Sequence, residues 1–522
     1  MLSHKLTKQI IGWSMVASIV AGCASAPAAS MEGGATYPNS APAAQSLPAQ
    51  AAPSAMFFED YGVNGFVETA QDQLSTFAVD VDTGAYTLAR SYLNDGNLPP
   101  AEAVRVEEFI NYFDYGYAYP EAHETFAIAM DAAPSPFTAS PSHRVVRIGI
   151  QGYAIPADER KDVALTFVID VSGSMDRENR LGLAKQSLGL LVAELRPTDA
   201  VAIVVYGSQA RVVLPMTNAS DQATILAALE RLNPDGSTNA EEGLRMGYEL
   251  AWRAYRPDAI NRVVLVSDGV ANVGETGPDA ILATIAQYAA QGITMTSVGV
   301  GMGNYNDVLM EQLADKGDGF YAYVDDIEAA RRLFVDDLTS TLQTIAKDAK
   351  VQVDFNPATV ASYRLVGYEN RDVADDDFRN DAVDAGEIGA GHSVTALYEI
   401  VLQPALADAQ APLATVHLRW QDVASGEVIE SNRTLAVAEM TTDFADSDLN
   451  LQLAVTVAAY GELLRNSQWS AGNTLEQVLA EAQRIDATLS AQQHTSAQVA
   501  ELVDLLWRAN ELAGAQGNAQ DD

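Results

Sequence analysis

Between about residue 145 and residue 345, short apolar runs alternate with stretches of helical periodicity. The runs at 145–150, 163–169, 201–206, 263–266 and 293–300 are continuous, as in strands buried on both faces. Between two of them Leu181, Ala184, Leu188, Leu191, Val192 and Leu195 form a helical stripe that Pro197 closes. Residues 306–313 and 327–342 predict further helices. This alternation predicts an α/β fold, a doubly wound and mostly parallel sheet.

The flanks read differently. Residues 77–82 alternate apolar and acidic, as in a strand with one wet face, and a helix is predicted from Leu98 with Pro100 in its first turn. This block, 66–145, is a smaller α+β extension. Beyond Lys350, strand-like runs at 351–355, 393–402, 413–420 and 434–438 give way to helical stripes from Asp446, one opened by the capping box Thr474-x-x-Gln477. Residues 346–515 are thus a β-rich and then helical region, and 146–345 the α/β domain.

The run at 163–169 leads directly into Asp170-Val-Ser-Gly-Ser174. Taken alone, those five residues also fit an ordinary Ser/Gly/Asp loop after a strand. Two later segments change the reading. Asp235-Gly-Ser-Thr238 opens a helical pattern through Leu244, Met246 and Leu250, and the run at 263–267 ends in Asp268-Gly. In an open parallel sheet, loops at the carboxyl ends of neighbouring strands converge on one crevice. Asp170, Ser172, Ser174, Thr238 and Asp268 are therefore expected around a single ion. A set made only of oxygen donors suits a hard divalent cation, Mg²⁺ with Mn²⁺ or Ca²⁺ as alternatives. Two carboxylates balance the charge, three hydroxyls complete most of an octahedron, and one position stays open for a partner's Asp or Glu.

These segments, in this order, resemble the metal-ion-dependent adhesion site of von Willebrand factor type A domains. The resemblance implies direct binding by Asp170, Ser172 and Ser174, and direct or water-mediated binding by Thr238 and Asp268. Met175 and Asp176 follow at the rim, as partner contacts or as a solvated loop.

At the other end, Lys5 and Lys8 precede an apolar run over 10–20 and then Val20-Ala-Gly-Cys23. This is the order of a secretory signal peptide, too short to span a bilayer comfortably. Cys23 is the only cysteine in the chain. The segment resembles a bacterial lipobox, which implies a signal peptide over 1–22 and a lipid-modified (palmitate-bearing) Cys23. Residues 23–55, rich in Ala, Pro and Ser, are expected to be a disordered tether with a reach on the order of 30 Å. The resemblance implies a chain anchored to the cell envelope, in the outer membrane if the source is Gram-negative, since Ala24 is not Asp.

Acidic residues number 70 against 31 basic ones, a net charge of −39. That excludes nucleic acid and anionic lipid surfaces as partners of the folded part; the excess serves solubility or a salty habitat. The acidic stretch 372–387 fits no EF-hand spacing and reads as a solvated loop. Asp82-Thr-Gly84 invites comparison with aspartic proteases, but these need two such elements and no second exists.

The blocks Ser75-Thr-Phe-Ala-Val-Asp-Val-Asp-Thr83, Val104-Arg-Val-Glu-Glu-Phe-Ile-Asn-Tyr-Phe-Asp114 and 384–400 resemble the YfbK-like bacterial lipoproteins. This implies an N-terminal extension, a central von Willebrand factor A domain and a C-terminal domain, without a defined molecular activity. The expected function is a lipid-anchored envelope protein that captures a partner protein through a divalent ion. The alternative is a metal-independent structural subunit of an envelope complex. A hydrolase is the third reading and the weakest: no His-Glu-x-x-His, Walker loop or Gly-x-Ser-x-Gly is present. The chain is therefore not expected to be an enzyme.

Overall fold

A computed structural model describes residues 56–79, 82–138, 140, 142–269, 278–302, 305–406 and 408–520. Its central sheet has six strands in the order Phe320–Val324, Ile293–Val300, Ile260–Ser267, Val163–Asp170, Ala200–Tyr206 and Ala210–Asn218. The first five run parallel, and the last pairs antiparallel with Ala200–Tyr206. Every residue of Val163–Asp170 and of Ala200–Tyr206 is buried, which explains their unbroken apolar runs. Phe167 and Ile169 face the helix Arg180–Glu194 on one side; Val168 and Val204 face Ala240–Arg253 on the other. The expected doubly wound α/β architecture is present, with added β and helical regions. The antiparallel strand was not legible in the sequence. It carries exposed Val212 and contains Pro215, a composition that only an edge tolerates.

Two antiparallel sheets form a second unit of packing. One orders Val67–Glu68, Val360–Val366, Ser393–Leu402, His143–Gly152 and Phe126–Pro134. The other orders Gly386–Gly389, Thr344–Phe355, Pro412–Asp422 and Val428–Ala436, with Leu74–Ala78 also paired to Thr344–Phe355. Both are built from chain that precedes and chain that follows the α/β segment. Their inner faces share one core, including Phe77, Val146, Val353, Tyr398 and Trp420.

The run at 145–150, expected to be the first α/β strand, lies here instead. It pairs with Phe126–Pro134 and Ser393–Leu402. Val146, Ile148 and Ile150 enter the shared β core while Val145 enters a helical core on the outer face. A strand covered on both faces reads as a continuous apolar run whichever sheet holds it.

That helical core joins Gly84–Asn94 and Val106–Asn111 to Leu449–Leu464, Leu475–Ala491 and Ala497–Gln520. The capping box is formed: Gln477 N donates to Thr474 Oγ1 at 3.2 Å, and Thr474 N donates to Gln477 Oε1 at 3.0 Å. Two predicted helices are broken. The helix expected from Leu98 is a turn at Ala101–Ala103 and a short helix Val106–Asn111, separated at extended Arg105. The Arg105 guanidinium ion-pairs with buried Glu108 and Asp307, and those contacts outweigh helix continuity. The helix expected over 327–342 is interrupted by a π turn at Arg332–Asp336, where Arg332 stacks 4.2 Å over the Tyr112 ring. Asp82 accepts the Tyr321 backbone N–H at 3.0 Å, a structural role for the Asp-Thr-Gly element. No helix among the described residues is long and apolar enough to cross a membrane. Cys23, the signal segment and the tether lie outside the described residues.

Candidate metal centre

Strand Val163–Asp170 comes first in the central sheet, and its neighbours on either side are formed later, at 200–206 and 260–267. The chain leaves its carboxyl end at a point where strand order reverses, the usual position of a ligand crevice in such sheets. Asp170 is the last residue of that strand, and Asp268 follows the adjacent strand Ile260–Ser267. The backbone carries the intervening loops into place. Val171 N donates to Tyr206 O at 2.8 Å, Gly173 N to Gly236 O at 2.9 Å and Asp235 N to Val171 O at 2.5 Å. Gly207 makes this approach possible, since a Cβ there would lie 2.1 Å from Asp235 O.

Four of the five expected residues form one hydrogen-bonded group. Ser172 N donates to Asp170 Oδ1 at 2.7 Å, the Ser172 and Ser174 hydroxyls are 2.9 Å apart, and Ser174 Oγ donates to Asp268 Oδ1 at 3.0 Å. Asp170, Ser172 and Asp268 are buried, and Ser174 is half-buried. Thr238 stands apart. Its loop is docked through Gly236, yet among the described residues its side chain shares no hydrogen bond with the other four. Met175 is buried and Asp176 exposed, so only the latter lies open at the rim.

Burial pushes the Asp170 carboxyl up to about 6; hydrogen bonds from Ser172 oppose the rise and the charge of Asp268 adds to it. Its hydrogen-bond donors are neutral. A cation here would relieve the cost of burying that charge. The donor set also fits one geometrically. Oxygens about 2.1 Å from an octahedral Mg²⁺ are separated along an edge by about 3.0 Å, close to the two hydroxyl separations above. Among the described residues no three His, Cys, Asp or Glu side chains converge as a metal group, so an ion here would rest on two carboxylates and on hydroxyls.

Two residues of the centre were missed from sequence. Ser267 Oγ donates to Asp170 Oδ2 at 2.9 Å and accepts from Gly269 N at 3.2 Å. Its place next to Asp268 was visible, but its inward direction follows from strand alternation only once the register is known. Arg180 Nη1 donates to Asp268 Oδ2 at 2.7 Å. Nothing in the sequence marks it, since a basic residue at a helix start reads as a solvated one.

Comparison with known proteins agrees with this architecture. The profile of the von Willebrand factor type A domain matches residues 164–339, and that of the C-terminal region of the uncharacterized protein YfbK matches 340–512. A profile described as von Willebrand factor matches 52–147. The uncharacterized protein YfbK of Escherichia coli K12 is 35% identical over 455 residues, covering 83% of this chain and 78% of that protein. The uncharacterized protein sll0103 of Synechocystis is 24% identical over 330 residues, covering 62% of this chain and 77% of that one. Among solved structures, a von Willebrand factor type A protein from Catenulispora acidiphila aligns with a TM-score of 0.41 at 19% identity, covering 78% of this chain and 89% of that one. With 35% identity to the Escherichia coli protein over 83% of this chain and 78% of that one, and with both profiles matched, the protein belongs to the YfbK family and carries a von Willebrand factor type A domain.

Proposed function

We propose that this protein is a lipid-anchored component of the cell envelope that captures a partner protein through a divalent cation, Mg²⁺ first and Mn²⁺ or Ca²⁺ as alternatives. Asp170, Ser172 and Ser174 would hold the ion directly, with Thr238 and Asp268 completing the set directly or through water. When bound, the ion offers an electrophilic position to an Asp or Glu of the partner. The observation that carries this reading is the continuous hydrogen-bonded chain from Asp170 through Ser172 and Ser174 to Asp268, set at the switch point of the sheet. A von Willebrand factor type A domain supports a role in protein–protein interaction rather than catalysis.

The test is calorimetric titration of purified protein with Mg²⁺, Mn²⁺ and Ca²⁺, followed by crosslinking pull-downs from intact cells with Mg²⁺ or with EDTA. Binding and chelator-sensitive capture, both lost in Asp170→Ala, support the reading. No binding of any of the three ions at millimolar concentration would sink it, and chelator-insensitive capture would favour the structural-subunit alternative. The anchor is tested separately: a fatty-acid analogue should label the protein in cells, and Cys23→Ser should abolish the label.

A further inference from the structure

The candidate centre contains a cation of the chain's own. Arg180 opens the helix Arg180–Glu194 and is 4% exposed. Its Nη1 donates to Asp268 Oδ2 at 2.7 Å, and its Nη2 donates to Glu178 Oε2 at 3.0 Å and to the Met302 carbonyl. One guanidinium thus ties the carboxylate after strand Ile260–Ser267 to the loop after strand Ile293–Val300.

The local chain is shaped around this side chain. Glu178 and Asn179 both lie in the left-handed region, with φ of 50° and 58°. Two consecutive non-glycine residues there are unfavourable. A positive charge at the first position of a helix also opposes the helix dipole. Gly301, at φ +76°, makes room: a Cβ at that position would lie 2.3 Å from Arg180 Cδ. These costs surround one side chain, whose contact is a carboxylate of the candidate centre.

We infer that Arg180 makes cation binding at this centre conditional on a carboxylate from outside; this rests on the metal reading above. Asp170 and Asp268 supply two negative charges, and Arg180 takes up one of them. A dication added to this group leaves a buried net charge of +1, because Glu178 is exposed and its charge is screened by solvent. Uncompensated buried charge is costly, so the ion alone binds weakly. A carboxylate arriving at the open position brings the total to zero. Without Arg180 the two carboxylates already balance the ion, and an incoming acid would add excess negative charge. Arg180 therefore moves binding energy from the ion alone to the ion together with an acidic partner. It also engages Asp268 Oδ2, leaving Oδ1 to face the centre beside Ser174.

The experiment titrates Mg²⁺ into the full chain, in sodium chloride and in sodium acetate at matched ionic strength, for wild type, Arg180→Gln and Arg180→Lys. Circular dichroism verifies the fold of each. Wild type should bind Mg²⁺ weakly in chloride and several-fold more tightly in acetate. Arg180→Gln should bind Mg²⁺ in chloride about ten-fold more tightly than wild type, the effect of removing one nearby charge, and lose most of the acetate enhancement. Arg180→Lys should behave as wild type. A folded Arg180→Gln that binds no tighter, or that keeps the acetate enhancement, overturns the role of Arg180 and leaves the metal reading standing. Should Arg180→Gln fail to fold, wild type decides: absence of acetate enhancement overturns the inference. If neither protein binds Mg²⁺, both readings fall together.

Discussion

Two clusters of buried carboxylates are treated differently. At the junction of the α/β domain with its flanks, Glu108 and Asp307 share the guanidinium of Arg105, and Arg371 donates to Glu311 at 2.8 Å and ion-pairs with Asp315 at 3.0 Å. At the head of the central sheet, Asp170 has only hydroxyl and N–H donors, and Asp268 shares a single Arg180. The junction sets its acids against permanent cations and so acts as a lock between segments distant in sequence. The head of the sheet neutralises half of its charge and surrounds the rest with small hydroxyls that an ion can approach. The difference lies in the reach of the partner, since a long guanidinium fills the space that a Ser leaves open.

The largest expected effect breaks the junction. Arg105→Met removes the guanidinium that buried Glu108 and Asp307 share and should destabilise the protein by about 3–5 kcal/mol. Denaturant melts should show this loss equally with Mg²⁺ and with EDTA; a loss confined to one condition would mean the two clusters are coupled. Next is pH. Glu311 is pushed up from 4.5 to about 7, mainly by burial and against the pull of Arg105 and Arg371. The folded state therefore binds the proton more tightly than the unfolded chain does. The associated stability is complete below about pH 4.5 and is lost as pH rises through about 7, on the order of 3 kcal/mol in all. Glu311→Gln should flatten that part of the stability–pH curve, and an unchanged slope would remove Glu311 as its source.

Of similar or smaller size is the effect of the ion. With Mg²⁺ at about one hundred times its dissociation constant, wild type should gain about 2.7 kcal/mol over EDTA, and Asp170→Ala should gain nothing. Melting in EDTA should be little changed by the same substitution, because it removes a buried charge with no cationic partner of its own. A large loss in EDTA would make Asp170 a structural residue like those of the junction. The smallest effect is local. Thr474→Ala removes one half of the capping box and should cost about 1 kcal/mol in melts with or without the ion.

The two regions also differ in how far they could be read from sequence. In the α/β domain each strand is followed by chain that packs against it, so periodicity carries the fold: the stripe at Leu181, Ala184, Leu188 and Leu191 is the buried face of Arg180–Glu194. The candidate centre was legible for the same reason. Residues at the carboxyl ends of adjacent parallel strands converge whatever the loop details, and four of the five expected side chains do share hydrogen bonds. The flanks gave weaker signals, because their strands pair across the whole intervening domain. Tyr398 and Phe77 share a core, and no local pattern announces that.

What the sequence by itself determined is the alternation of strand and helix, the oxygen donors at the strand ends, the capping box and the family. These depend on neighbours within a few residues, or on a topology with few alternatives. Only the tertiary structure decided that the run at 145–150 belongs to the β sandwich, that Arg105 and Arg332 interrupt two helices, and that Arg180 turns inward to Asp268. In each case the deciding partner is far away in the chain. A guanidinium or an apolar strand has the same local pattern on a wet surface, in one sheet or in another; the partner it meets after folding selects among them.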